Sequence, residues 1–358
     1  MLTQEAKKEL TQQQYRVVGS HSAVKICGWV KKHIRGEGQC YKHTFYGINS
    51  HQCLQMTTAL SCANRCVFCW RGYKAPVSKE WKGKVDDPNF IIENTTKAQW
   101  NLLQGFKGFK GANKELIAEA KDVKHAALSL TGEPIIYPRI NDIIDLFHKK
   151  NISTFLVTNG QYPEQIRDLK PVTQLYISLD AYNKESLKEI DKPLFLDFWE
   201  RANRSLEYMK AKKERKAIRM TLIKGMNMES PEKYVDLIRK ADPDFVEAKG
   251  YMFVGLSRQI LDKENMPLHE DVVEFAKKLE KLMPEYEIVV DHFLSRAVLL
   301  AKKEFKIDGV WHTWIDFDKF FKLVKSGKDF SAKDYLKPTP RVGISGRGTK
   351  ERIGSYRK

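Results

Sequence analysis

The sequence predicts an α/β fold in which six strand–helix units curl into a partial (β/α)6, TIM-like barrel. An N-terminal cysteine-rich segment precedes it and a C-terminal helical extension follows it. Three observations predict this. From residue 125 onward, short apolar runs alternate with amphipathic stretches, the pattern of a parallel sheet with helices outside. A loop with Cys62, Cys66 and Cys69 directly follows the first strand. Polar residues gather just past the later strands, where barrels place their chemistry.

Residues 1 to about 20 read as an exposed amphipathic helix or a loose arm. Residues 24–53 carry Cys27, Cys40 and Cys53 among turn glycines at 28, 36, 38 and 47. Apolar periodicity is too weak there for a helix, so a loop-rich knob folded around a bound group is expected. Residues 51–59 form the first strand. Residues 73–94, rich in Lys, Asp and Pro, are expected to be irregular. Residues 98–109 and 113–122 have helical spacing. Strands follow over 125–130, 152–157, 174–179, 217–223 and 245–249. Helices are expected over 138–150, 162–169, 196–213, 231–241 and 268–282. Residues 286–291 suit a further strand, and 294–305 look helical. The aromatic run 311–321 should pack on the barrel. Residues 338–358 read as a basic, mobile tail with Arg341, Arg347, Lys350, Arg352, Arg357 and Lys358. This divides the chain into an arm and cysteine segment (1–50), a core (51–293), an extension (294–337) and the tail (338–358).

The formal charge of +17 comes from 62 Lys and Arg against 45 Asp and Glu. Such an excess attracts polyanions, and nucleic acid is the first candidate; a lysine-rich solvated surface is the plainer explanation. No run of about 18 apolar residues exists to span a membrane. Residues 1–10 lack the apolar stretch of a signal peptide. All six cysteines lie between Cys27 and Cys69. A core of this size needs no disulfides, so the clustering argues for metal and a reducing compartment, the cytoplasm.

The spacing C-x3-C-x2-C at Cys62, Cys66 and Cys69 lets one loop wrap one inorganic unit. Three thiolates suit a [4Fe–4S] cluster with one iron left open, whereas structural zinc wants a fourth ligand. Cys27, Cys40 and Cys53 repeat the three-thiolate pattern as C-x12-C-x12-C. Two explanations stand for them: a second cluster near the same mouth, or zinc completed by His33, His43 or His51.

The strand ends carry the remaining candidates. Thr131-Gly132-Glu133-Pro134 follows the second strand, and its glycine lets backbone approach a ligand closely. Asn159 follows the third strand; Ser178 and Asp180 share one face at the end of the fourth. Asn-Gly at 159–160 is also a turn signal, and Asp180 is also placed to cap a helix. Arg219 and Thr221 lie on the fifth strand, Glu247 and Lys249 on the sixth.

The C-x3-C-x2-C spacing is the signature of the radical S-adenosylmethionine (SAM) enzymes, in which the open iron holds the SAM amino and carboxylate groups. With it, the run CANRCVFCWRG, the upstream cysteines, LSLTGEP at 128–134 and the basic charge together resemble the archaeal, single-domain 4-demethylwyosine synthases over about residues 20–320. The resemblance implies two [4Fe–4S] clusters, one on Cys62, Cys66 and Cys69 and an auxiliary one on Cys27, Cys40 and Cys53. Thr131, Gly132 and Glu133 resemble the family's glycine–glutamate motif for the SAM ammonium, and their strand-end places make Asn159, Ser178 and Asp180 candidate SAM contacts and Arg219 and Thr221 candidates for SAM or the substrate. Thr131 departs from the family's first glycine there. The resemblance implies that N1-methylguanosine at position 37 of tRNA(Phe) condenses with pyruvate to a tricyclic base. The auxiliary cluster's open iron would chelate pyruvate, and Lys42 matches a lysine proposed to form a Schiff base with it. The base would stack on Trp29, Tyr41, Phe45 or Trp70, with Lys31, Lys32 and Arg35 on phosphates. Eukaryotic relatives carry a fused flavodoxin-like domain; here a separate flavodoxin- or ferredoxin-type donor is expected, serving a monomer.

Overall fold

A computed structural model describes residues 2–71 and 75–345. Gly72 and most of the basic tail, from residue 346, lie outside the described residues. Strands β1 (Arg16–Val18) and β2 (Ser22–Val24) form an antiparallel hairpin, and β2 pairs antiparallel with β3 (Cys53–Thr57). From β3 six strands run parallel: β4 (His125–Leu128), β5 (Ser153–Thr158), β6 (Gln174–Ser178), β7 (Arg215–Leu222) and β8 (Phe245–Gly250) complete the set. Two more, β9 (Tyr286–His292) and β10 (Ala297–Lys302), end the order β1-β2-β3-β4-β5-β6-β7-β8-β10-β9. The six parallel strands are those the alternation predicts.

Period-two alternation sorts each strand onto two cores. Leu54, Ala126, Leu156, Ile177, Ile218 and Val246 face outward. There they meet the helices α4 (Pro88–Gln104), α6 (Ile140–Lys149), α9 (Phe198–Lys210), α10 (Val235–Ala241) and α11 (His269–Leu282). Their neighbours Cys53, Ala127, Phe155, Tyr176, Ala217 and Phe245 face inward onto a second core. Remaining helices are α1 (Gln4–Gln12), α2 (Gly28–Ile34), α3 (Tyr41–Tyr46), α5 (Lys114–Glu119), α7 (Pro163–Arg167), α8 (Lys184–Asp191) and α12 (Phe317–Ser326). Among the described residues no helix is long and apolar enough to cross a membrane.

The cysteine segment is not a loop-rich knob. It contains α2 and α3, with Cys27 and Cys40 at their N-caps in extended backbone. Each helix is too short to show periodicity, and tertiary burial stabilises it instead. Val30 and Ile34 of α2 pack with Leu103, Ile117 and Ala120. Helix α3 plugs the barrel with Tyr41, Phe45 and Tyr46; burying Phe45 alone contributes about 1.5–3 kcal/mol. The C-terminal extension covers the open end of α3. Trp314 Nε1 donates to the Thr44 carbonyl at 3.1 Å and Thr313 Oγ1 to that of Phe45 at 2.7 Å, satisfying acceptors the short helix leaves bare. Gly47 closes α3 at φ 79°, where a Cβ would lie 2.8 Å from the Trp314 ring.

Two further expectations are corrected. Residues 73–94 are not irregular throughout, because α4 begins at Pro88. Asp87 caps it, accepting from the Asn89 and Phe90 amides, and proline suits the first helical position. Residues 294–305 are not a helix: Ala297–Lys302 forms β10, antiparallel between β8 and β9. Its apolar run is covered on both faces, Val298 and Leu300 by the outer core and Leu299 by the inner. Such a run has no period to distinguish strand from helix.

Candidate active site

Above the apolar plug, the inner faces turn polar. Two residues beyond Ala127, Tyr176, Ala217 and Phe245 stand Ser129, Ser178, Arg219 and Glu247, and two further on β7 and β8 stand Thr221 and Lys249. Of these, Ser129, Ser178, Arg219, Thr221 and Lys249 open on a cavity of about 280 Å³ at the C-terminal ends of the strands. Cys62, Cys66 and Cys69 line it together with Thr131, Gly132, Glu133, Asn159, Ser178, Asp180, Arg219 and Thr221. The structure therefore collects every SAM-contact candidate around one space with the three thiols.

The cysteine loop is held from several sides. The amides of Arg65 and Val67 donate to the carbonyls of Asp191 and Ile190 at 2.9 and 2.8 Å. Arg71 Nη2 donates to the Asn64 carbonyl at 2.7 Å. The Cys62 sulfur accepts from the Asn64 amide at 3.3 Å and from Asn159 Nδ2 at 3.4 Å. Burial pushes the Cys62 thiol up to about 11 and holds Cys66 well above its ordinary value. Thiols so placed give up their protons to a metal rather than to water.

Gly132 has φ 72°, and a Cβ there would lie 1.9 Å from the Ala59 carbonyl oxygen. Only glycine brings this turn against the cysteine loop. Glu133 is buried; its Oε2 accepts from the Asn159 amide at 2.9 Å and its Oε1 has no partner. Burial pushes this carboxyl up to about 7. A buried acceptor without a donor is costly, and a ligand ammonium would satisfy it. Thr131 Oγ1 is also unpartnered. The donor set and these orphaned atoms fit a cluster with SAM.

Asn159 forms the turn, its Oδ1 accepting from the Gln161 amide at 3.0 Å, while its Nδ2 reaches the Cys62 sulfur. Asp180 is not a helix cap, since Asn183 caps α8. Its Oδ1 accepts from the Thr221 amide at 2.7 Å, and burial pushes its carboxyl up to about 6.

Cys27, Cys40 and Cys53 line a second cavity, of about 260 Å³, with Lys42. Burial raises all three thiols, Cys40 to about 12. The histidines weighed as a zinc ligand do not line it. His51 meets His33 at 3.1 Å and Glu119 at 2.7 Å, and His43 meets the Ile48 carbonyl at 2.9 Å. Among the described residues no three His, Cys, Asp or Glu side chains are grouped to hold a single metal ion. Three thiols spread round a cavity suit a wider, multi-iron unit. Lys42 is buried, its Nζ 4.5 Å from the Tyr176 ring centre and 5.3 Å from that of Phe155. Burial lowers its amine pKa, assisted by Arg219 and opposed by Glu247.

The two cavities share Trp70, Ser129, Arg219 and Lys249 as walls. Lys249 is pushed down to about 8 by burial, with Arg219 adding. The sequence reasoning missed Asn64, Arg71 and Asp191 as parts of the first site. Asn64 and Arg71 stand inside the cysteine run and were legible there. Asp191 ends α8 and has no sequence signal; its Oδ2 accepts from Asn64 Nδ2 at 3.4 Å.

Comparison with known proteins agrees with this geometry. Residues 56–238 match the radical SAM superfamily model and residues 240–302 the model for wyosine base formation. The tRNA 4-demethylwyosine synthase TYW1 of Homo sapiens is 47% identical over 353 residues, 97% of this chain and 48% of its own length. The corresponding Arabidopsis thaliana enzyme is 48% identical over 349 residues, 97% of this chain and 54% of its own. The chain thus spans about half the length of the curated relatives it matches. A structure of TYW1 with a lysine–pyruvate adduct bound superposes with TM-score 0.78 at 37% identity, covering 86% of this chain and 99% of that one. Archaeal TYW1 gives 0.70 at 34% identity over the same shares. Likeness of this extent, spanning the core and the cysteine segment alike, assigns the chain to the radical SAM superfamily and, within it, to the tRNA 4-demethylwyosine synthase family.

Proposed function

We propose that this protein condenses N1-methylguanosine at position 37 of tRNA(Phe) with pyruvate to give 4-demethylwyosine. One observation carries the reading: two three-thiol cavities share a wall, and a buried lysine stands in the second. In this reading Cys62, Cys66 and Cys69 hold the cluster that binds SAM, and Cys27, Cys40 and Cys53 hold an auxiliary one. When bound, the SAM-liganded cluster supplies a 5′-deoxyadenosyl radical, strong enough to take hydrogen from a methyl group.

The chain's own residues do the rest. Glu133 accepts from the SAM ammonium, Thr131 and the Gly132 backbone close over it, and Asp180, Ser178, Asn159 and Thr221 line its seat. Arg219 faces both cavities and serves SAM or the substrate. Lys42, its amine pKa lowered by burial, attacks the pyruvate carbonyl; water leaves and a Schiff base forms. The apolar plug excludes water from the radical. The target base must be splayed out to reach this depth. Phe45 is a core residue, 0% exposed, and lines neither cavity, so Trp29, Tyr41 and Trp70 on the second cavity remain to stack on it. The net charge of +17 supports binding of an RNA. A cytoplasmic monomer reduced by a separate flavodoxin- or ferredoxin-type protein completes the reading.

Glu133→Gln is expected to weaken SAM binding roughly 10- to 100-fold, the loss of one hydrogen bond to a charged group. The ammonium would pull the raised Glu133 carboxyl down, so binding releases a proton at pH below about 7. Affinity should therefore rise with pH up to about 7 and then level, and the variant should lose this dependence; calorimetric titration across pH checks both.

The direct test incubates anaerobically reconstituted protein with tRNA carrying N1-methylguanosine, SAM, pyruvate and dithionite. Mass spectrometry of the nucleosides should show a pyruvate-dependent tricyclic product. A methylated or methylthiolated nucleoside formed without pyruvate would overturn the proposal.

A further inference from the structure

We propose that Lys249, with Arg219, forms the seat for the carboxylate of the keto-acid substrate on the wall between the two cavities. The inference rests on the proposed function and names a specificity residue within it. Arg219 and Lys249 stand on neighbouring strands, on the same inner face, two residues apart in register. Both line both cavities. Arg219 Nε has no hydrogen-bond partner. Lys249 Nζ donates to the Ser295 carbonyl at 3.0 Å, which commits one of its three donors. Ser295 Oγ, on the same wall of the second cavity, is also unpartnered.

Glu247, the acid closest in register, attracts both cations through space but hydrogen-bonds neither. Its Oε1 accepts from Tyr46 at 2.7 Å, and its Oε2 has no partner. Leaving Arg219 Nε and Ser295 Oγ buried without acceptors is costly unless a ligand supplies them. A carboxylate offers two oxygens that only accept, and it matches an arginine fork beside an ammonium. The position is also chemically apt. In an α-keto acid the carboxylate adjoins the carbonyl, so a carboxylate held on this wall presents the carbonyl to the same cavity as Lys42.

Borohydride trapping reads this directly. Reconstituted protein is reduced with pyruvate or with acetone, a ketone without a carboxylate, and the covalent adduct is measured by intact mass. Lys249→Met should raise the pyruvate concentration for half-maximal trapping roughly 10- to 100-fold and leave that for acetone unchanged. Lys249→Arg should restore most of the pyruvate affinity. Equal half-saturation for pyruvate in wild type and Lys249→Met overturns the seat while leaving the proposed function standing. Equal loss for both compounds marks a structural role and also overturns it. A wild-type protein that traps no pyruvate overturns the seat and the keto-acid reading together.

Discussion

Cys62→Ala is expected to lower bound iron from about eight to about four per chain, one four-iron cluster of two, and to bring reductive SAM cleavage to background. Cys62 is buried, its sulfur accepts from Asn64 and Asn159, and its loop is anchored through Arg65, Val67 and Arg71. An alanine leaves this scaffold intact while removing a ligand, so the loss is chemical rather than a collapse of the fold. Cys27→Ala should also halve the iron but leave SAM cleavage standing, because its cavity lies across the shared wall. Iron analysis, visible absorption and 5′-deoxyadenosine release separate the two variants. A wild-type content near four would reject the auxiliary cluster; a Cys62→Ala protein with unchanged iron would reject the first.

Lys42→Ala should lower product formation about 10³-fold, the usual contribution of a single acid–base group. It should also abolish the borohydride-trapped pyruvate adduct. Its iron content and pyruvate-free SAM cleavage should match wild type. The physical reason is burial. Lys42 sits against Tyr176 and Phe155 among inward-facing residues, and burial favours the neutral amine that attacks a carbonyl. A surface lysine in the same sequence position would stay protonated. Full activity in Lys42→Ala would exclude an essential Schiff base.

Much of the fold was legible because its signals are local. The six parallel strands show as apolar runs between amphipathic helices, and the thiols of each set stand at regular spacing. The misses share a cause. Helices α2 and α3 have seven and six residues, too few for a period, and their stability comes from partners far along the chain. Strand β10 is apolar on both faces, so its pattern is silent between strand and helix. Asp87-Pro88 was a capping signal open to sequence reasoning and was passed over. Asp191 had no such signal, since it matters only through what the fold sets beside it.

By itself the sequence determined the chemistry on offer: two three-thiol sets, a glycine–glutamate turn after the second parallel strand, a lysine two residues past Cys40, and a parallel α/β core. These follow from spacing along the chain and from strand periodicity. The tertiary structure alone decided that the two thiol sets face one another across Trp70, Ser129, Arg219 and Lys249. It also decided that Lys42 is buried and that Arg219 Nε has no partner. Such facts depend on contacts between residues as distant as Tyr46 and Glu247, 201 positions apart. No local pattern encodes them, because burial and pairing are properties of the packed barrel rather than of any one segment.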